Sequence, residues 1–156
     1  MLSRFLSAID VVSGLLLGCV VALTFIEASL RYLFGVQVPD AYSLSGYAQG
    51  VAIFWGIASA TYAGRHINVD ILWDAANALN RLRIDVFAAV VSGLFLGTMA
   101  YMLSLKVIRS KASFEVTNEL QLSVWLFLAA AAAGAVFASI VAFVRAYRLV
   151  RGTLTA

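Results

Sequence analysis

Apolar residues fall into four long unbroken runs, Val11–Leu30, Gly46–Ala63, Val86–Leu105 and Leu122–Val144, and nearly all the charge lies between or beyond them. A helix needs about 20 mostly apolar residues to cross a bilayer's hydrocarbon core. The pattern therefore predicts an all-α integral membrane protein with four transmembrane helices, read as one domain over residues 1–156. The second run is the least apolar, because Gly46, Tyr47 and Gln49 open it. The runs are continuous, whereas a lipid-facing barrel strand alternates.

The segments between the runs carry patterns of their own. From Arg65 to Asp85, the residues Asp70, Asp74, Asn77 and Arg81 recur at helical spacing, as do Leu72, Ala76, Leu79 and Val86, with Trp73 and Leu82 beside them. This predicts an amphipathic helix over about residues 67–85, lying in the cytoplasmic interface with Trp73 at headgroup depth. Such a helix rests on lipid as a connector or braces another subunit. Leu2, Phe5, Leu6 and Ile9 predict a shorter interfacial turn ahead of the first run. Pro39-Asp40 predicts a turn between the first two runs, and the third helix is expected to continue through Lys106 and Arg109.

Composition agrees with the membrane reading. Hydrophobic residues make up 63% and charged residues 12% of the 156, against roughly 45–50% and 25% in soluble domains. Mean hydropathy is +0.95. One cysteine excludes an intramolecular disulfide framework, and Cys19, inside an apolar run, is expected to be a small packing residue. One histidine cannot build a metal cluster, and no basic tract interleaved with aromatics points to nucleic acid. Of the eleven basic residues, Arg4, Arg65, Arg81, Arg83, Arg145, Arg148 and Arg151 flank one side, and Arg31, Lys106, Arg109 and Lys111 the other. The positive-inside rule then places both termini in the cytoplasm. Leu16-Leu17-Gly18-Cys19 loosely resembles a lipoprotein cleavage site, yet the apolar run continues to Leu30, so an uncleaved helix is expected.

The four runs hold one ionisable residue, Glu27, and no proline. Glu27 stands four residues before Arg31, the spacing of an ion pair on one helix face; the other reading is a proton or cation site. Gly14 and Gly18, Gly46 and Gly50, and Gly93 and Gly97 form three G-x-x-x-G patterns, each a flat strip for close approach of a second helix in the chain or in a partner. No nucleophile–base pair, metal-ligand spacing or phosphate loop occurs, so neither an enzyme nor a cofactor is indicated. Arg31, Lys106, Arg109 and Lys111 either steer an acidic soluble protein to the outer surface or lie solvated among headgroups.

Two stretches carry a family resemblance. Glu27-Ala28-Ser29-Leu30-Arg31-Tyr32-Leu33-Phe34-Gly35, followed by Pro39, and Gly56-Ile57-Ala58-Ser59-Ala60, leading to Arg65-His66-Ile67-Asn68-Val69-Asp70-Ile71-Leu72, resemble the DctQ-type small permease subunit of tripartite ATP-independent periplasmic (TRAP) transporters. The chain departs from that pattern in having Asp40 directly after Pro39 and no proline around Leu122-Ser123-Val124-Trp125. The resemblance implies a subunit of the bacterial inner membrane. A large multi-span permease would hold the substrate and sodium sites and move as an elevator, and a periplasmic binding protein would deliver an organic anion, commonly a carboxylate. The small subunit would pack beside the permease, extend its immobile scaffold and help dock the binding protein. By the same resemblance, Arg31 and Tyr32 would sit at the outer end of the first span, near the binding-protein side, and Arg65, His66 and Asp70 would stabilise the cytoplasmic turn and its interfacial helix. Two other readings remain open from the residues alone: a self-sufficient four-span multidrug-type exporter using Glu27, and an anchor for an unrelated complex.

Overall fold

The structure is a computed structural model that describes residues 2–63 and 77–152, with side chains from Ile9 to Tyr62, at Asn77 and from Asn80 onward. Within them the chain forms four helices: α1 Leu2–Phe34, α2 Ala41–Ala63, α3 Ala78–Ala112 and α4 Val124–Val150. Long runs of Leu, Ala, Val and Ile without proline favour unbroken helix, and residues of positive φ follow the ends of α1, α3 and α4. Gly35, at φ +67°, terminates α1 in the left-handed region that glycine enters without strain, and the Val36 N–H donates back to the Leu30 carbonyl at 3.2 Å. The only proline, Pro39, lies in the turn before α2. Hydroxyls inside the helices donate to the preceding turn, as Thr24 does to the Val20 carbonyl (2.7 Å) and Ser104 to the Ala100 carbonyl (2.7 Å). They thereby satisfy themselves where no water is available.

The helices pack as a row rather than a closed bundle. Three pairs carry the packing: α1 with α2, α2 with α4, and α4 with α3. The contacts give the directions. Gly56 of α2 approaches Ser13 of α1, while Ala41 and Ser45 lie near Glu27, so α1 and α2 are antiparallel. Tyr47 stacks on Phe127 at 5.6 Å and Arg145 donates to the Thr61 carbonyl at 3.3 Å, so α2 and α4 run parallel. Gly97 meets Ser139 and Gly93 meets Phe143, so α4 and α3 are antiparallel. One end of the row, here the loop end, carries the α1–α2 and α3–α4 connections.

The centre of the row is α4, whose buried face is almost entirely small: Ala131, Ala132, Gly134, Ala135, Ala138, Ser139, Ala142 and Ala146. That face lets α2 approach on one side, where Trp55 donates its indole N–H to the Ala130 carbonyl at 3.0 Å, and α3 on the other, where Ser139 donates to the Gly93 carbonyl at 3.1 Å. At the α1 edge only 6% of the most apolar stretch is buried, against 39% in α4.

Several expectations are refined. Among the described residues three helical stretches are long and apolar enough to cross a membrane: Ile9–Phe34, Asn80–Ala112 and Val124–Val150. The second helix is not among them, because Tyr42, Ser43, Ser45, Tyr47 and Gln49 fall in its first turns. Residues 78–85, assigned from periodicity to an interfacial helix, are instead the first turns of α3, which runs 35 residues, or about 52 Å. The same apolar spacing serves a long helix packing its side on a neighbour. Asp70, Leu72 and Trp73 lie outside the described residues, as do Arg65 and His66, and of Leu79 only the helical backbone is described. As expected, α3 continues past Lys106 and Arg109. Cys19 is exposed, not packed.

The glycine patterns divide sharply. Gly93 and Gly97 face Phe143 and Ser139 at 3.2 Å, measured from where a Cβ would stand, but Gly14, Gly18, Gly46 and Gly50 meet nothing within 4 Å. A Cβ on Gly134 would lie 3.0 Å from the Trp55 ring and 3.1 Å from its backbone nitrogen. Gly134→Ala is therefore expected to destabilise by about 1–3 kcal/mol through overpacking. Gly14→Ala should be neutral or stabilising by up to about 1 kcal/mol. Thermal unfolding of both variants in one detergent checks the contrast; equal midpoints would contradict the packing.

Candidate functional site

Chemistry-bearing side chains gather at the loop end, where the membrane no longer penalises charge. Asp40 organises it. Its backbone stands at φ +52°, a left-handed conformation that aspartate tolerates better than most residues, and its carbonyl accepts the Leu44 N–H at 2.9 Å in the first turn of α2. The carboxylate does not cap its own helix. It reaches across to the α3–α4 connection, where Oδ2 accepts the N–H groups of Leu120 (2.7 Å) and Glu119 (3.2 Å). The Thr117 hydroxyl also bonds this carboxylate, and is the largest cause holding its pKa below the ordinary 3.8.

The connection that receives Asp40 is itself folded back. Thr117 N–H donates to the Leu122 carbonyl (2.9 Å), Leu122 N–H to Thr117 Oγ1 (3.1 Å), and Val124 N–H to the Glu115 carbonyl (3.1 Å). Val116 and Ser123 pair as an antiparallel bridge. Phe114 and Gln121, at φ +52° and +54°, make the corners. The result is a fixed connection on which Phe114 stands out, and Tyr42 at the start of α2 and Tyr32 in the last turn of α1 are likewise more than 80% exposed. Aromatic rings at that level suit a headgroup belt or a protein contact.

The four outer basic residues do not form one patch. Lys111 lies over the Trp125 ring at 5.0 Å, holding α3 to the start of α4. Lys106 and Arg109 line an open cleft of about 300 Å³ with Ser110, Ser113 and Glu115, and the Ser110 hydroxyl is buried without a hydrogen-bond partner. Arg31 is exposed on α1, at the opposite edge of the row. Nor do Glu27 and Arg31 form the ion pair that their spacing predicts: among the described residues no ion pair or hydrogen bond joins them. Glu27 instead lines a groove between α1 and α2. At the other end of the row, Arg145 caps the α2 C-terminus through the Thr61 carbonyl, where a cation also meets the negative end of the helix dipole.

The sequence marks Asp40 only as a turn residue, Trp55 as a belt or packing residue and Arg145 as a flanking charge; it gives no sign of their partners, nor of Ser139. A turn signal beside an acidic residue marks the corner but not a partner 80 residues away. Among the described residues no group of three His, Cys, Asp or Glu side chains could hold a metal ion.

Long apolar helices packed in an open row define an all-α membrane protein. The comparisons name it: the family model described as tripartite ATP-independent periplasmic transporters, DctQ component, matches residues 20–152, and the chain belongs to that family. Its members are components of a transporter that also comprises a large permease and a binding protein. Comparison with curated proteins and with solved structures gave no match.

The Asp40 clamp has a pH signature. A carboxyl whose folded pKa is depressed adds stability in full above its unfolded value and loses it as pH falls through the folded one. The order of residues 114–123 should therefore hold above about pH 4 and decline below it, with that acid-side decline absent in Asp40→Asn, whose loop is already loosened at neutral pH. Amide exchange of Glu119 and Leu120 across pH measures this. Equal protection in both proteins at pH 7 would contradict the clamp.

Proposed function

We propose that the chain is the small membrane subunit of a sodium-coupled, binding-protein-dependent transporter of organic anions, chiefly carboxylates, in the bacterial inner membrane. The family match over residues 20–152 carries this reading. All four helices cross the bilayer in it, the termini lie in the cytoplasm, and the loop end faces the periplasm. The alignment of α2 along α1 and α4, from the Tyr47–Phe127 stack to the Arg145–Thr61 bond, supports its crossing despite its polar first turns.

The large permease subunit holds the substrate and sodium sites, and this chain widens its stationary part. The α1 edge is the contact that the packing favours, since Gly14 and Gly18 serve no helix of this chain while Gly93 and Gly97 are already taken up by α4. At the periplasmic face the binding protein docks on the surface fixed by Asp40. Lys106 and Arg109 act there as the steering charges, with Lys111 drawn inward onto Trp125.

Uptake of radiolabelled carboxylates by cells lacking only this chain tests the reading. Uptake should vanish, return with the wild-type chain and require external sodium; uptake indifferent to the chain would overturn it. Replacing Lys106 and Arg109 with glutamine should slow uptake by about tenfold at low ionic strength. The effect should be much smaller at physiological salt, where exposed charges are screened within about 8 Å. A rate unchanged at either salt would remove the docking role.

A further inference from the structure

We infer that the groove between α1 and α2 is an anchoring socket for a basic side chain, lysine or arginine, of the large permease subunit, with Glu27 as its counter-charge. The inference rests on the proposed function and names the contact that function requires. The groove encloses about 390 Å³ and is lined by Val20, Thr24 and Glu27 from α1 and by Ser45, Gly46 and Gln49, among others, from α2.

Three observations converge on a cation. Glu27 is half-buried, and among the described residues no hydrogen bond or ion pair reaches it. An intramembrane carboxylate without a counter-charge is costly, and such groups characteristically face a protein interior or a cavity where they are paired. Ser45, only 8% exposed, lines the same groove, and its hydroxyl oxygen is buried without a hydrogen-bond partner, an acceptor left over for an N–H donor that enters there. Thr24 does not supply a proton to the Glu27 carboxylate, because its hydroxyl already donates to the Val20 carbonyl.

The geometry favours a protein side chain over a lipid headgroup. Glu27 lies one helical turn deeper than Arg31, which is exposed in the last turn of α1. A phospholipid presents its phosphate on the membrane side of its ammonium, so a headgroup in the groove would meet carboxylate where its phosphate sits and guanidinium above. Gly46, in the groove wall with nothing within 4 Å of where a Cβ would stand, leaves room near Glu27 for a helix backbone to approach. A basic residue on that helix then enters the groove sideways.

The test places a photo-crosslinking amino acid at Gln49, on the groove's rim, in the full chain expressed with its large subunit in native membranes. Irradiation should join the chain to the large subunit through a peptide containing lysine or arginine. In parallel, Glu27→Gln should lower recovery of the large subunit in mild detergent by about tenfold or more, since removing one partner of a buried charge pair raises dissociation. Ser45→Ala should lower it less, with membrane insertion intact in both variants. Capture only of lipid, of a second copy of the chain, or of a peptide without a basic residue would overturn the socket, as would wild-type recovery with Glu27→Gln. Failure of the wild-type chain itself to recover a large subunit would instead overturn the function on which the socket rests.

Discussion

The arrangement depends on how thin α4 is. In a bilayer, lipid tails are as apolar as leucine, so helices associate through close packing and hydrogen bonds, not through exclusion of water. Ala131, Ala132, Gly134, Ala135, Ala138, Ser139 and Ala142 give α4 a buried face with almost no side-chain bulk. Trp55 of α2 can then lie against Gly134, and the Ser139 hydroxyl can reach the α3 backbone. One slim helix thus holds two thicker ones, and α1 attaches to α2 as the outermost member.

A row built this way has edges, and that is its functional content. A closed bundle turns its packing surfaces inward, whereas here α1 presents Val11, Leu15, Val21 and Phe25 outward together with an unused glycine strip. The polar chemistry is concentrated where water returns. Asp40 ties the two loop-end connections together, Lys111 seats on Trp125, and Arg145 caps α2. Membership of the DctQ family gives such a shape its context, a transporter component, and the proposed role is to hold and extend a larger partner.

Some of this was legible in the chain. Apolar run length located α1, α3 and α4, the Pro39-Asp40 signal located the first turn, and the lack of proline kept α3 going past Lys106. Helix neighbours were not legible, because a G-x-x-x-G pattern offers a surface without saying what covers it: Gly93 and Gly97 are covered by α4, whereas Gly14 and Gly18 are not. The Glu27–Arg31 spacing misled for a related reason. Sharing a helix face allows a pair, but Glu27 is set into the α2 groove and Arg31 is exposed in the final turn. Asp40's partners lie in another connection altogether, beyond the reach of any local rule.

The most direct test of an edge-bearing subunit is the mass and composition of what it forms when tagged and drawn from its native membrane in mild detergent. A stoichiometric complex with one large multi-span permease is expected, with the 16.7 kDa chain not recovered alone. A discrete assembly of this chain only with itself would mean that its edges close on one another, and would contradict the role as scaffold for a larger subunit.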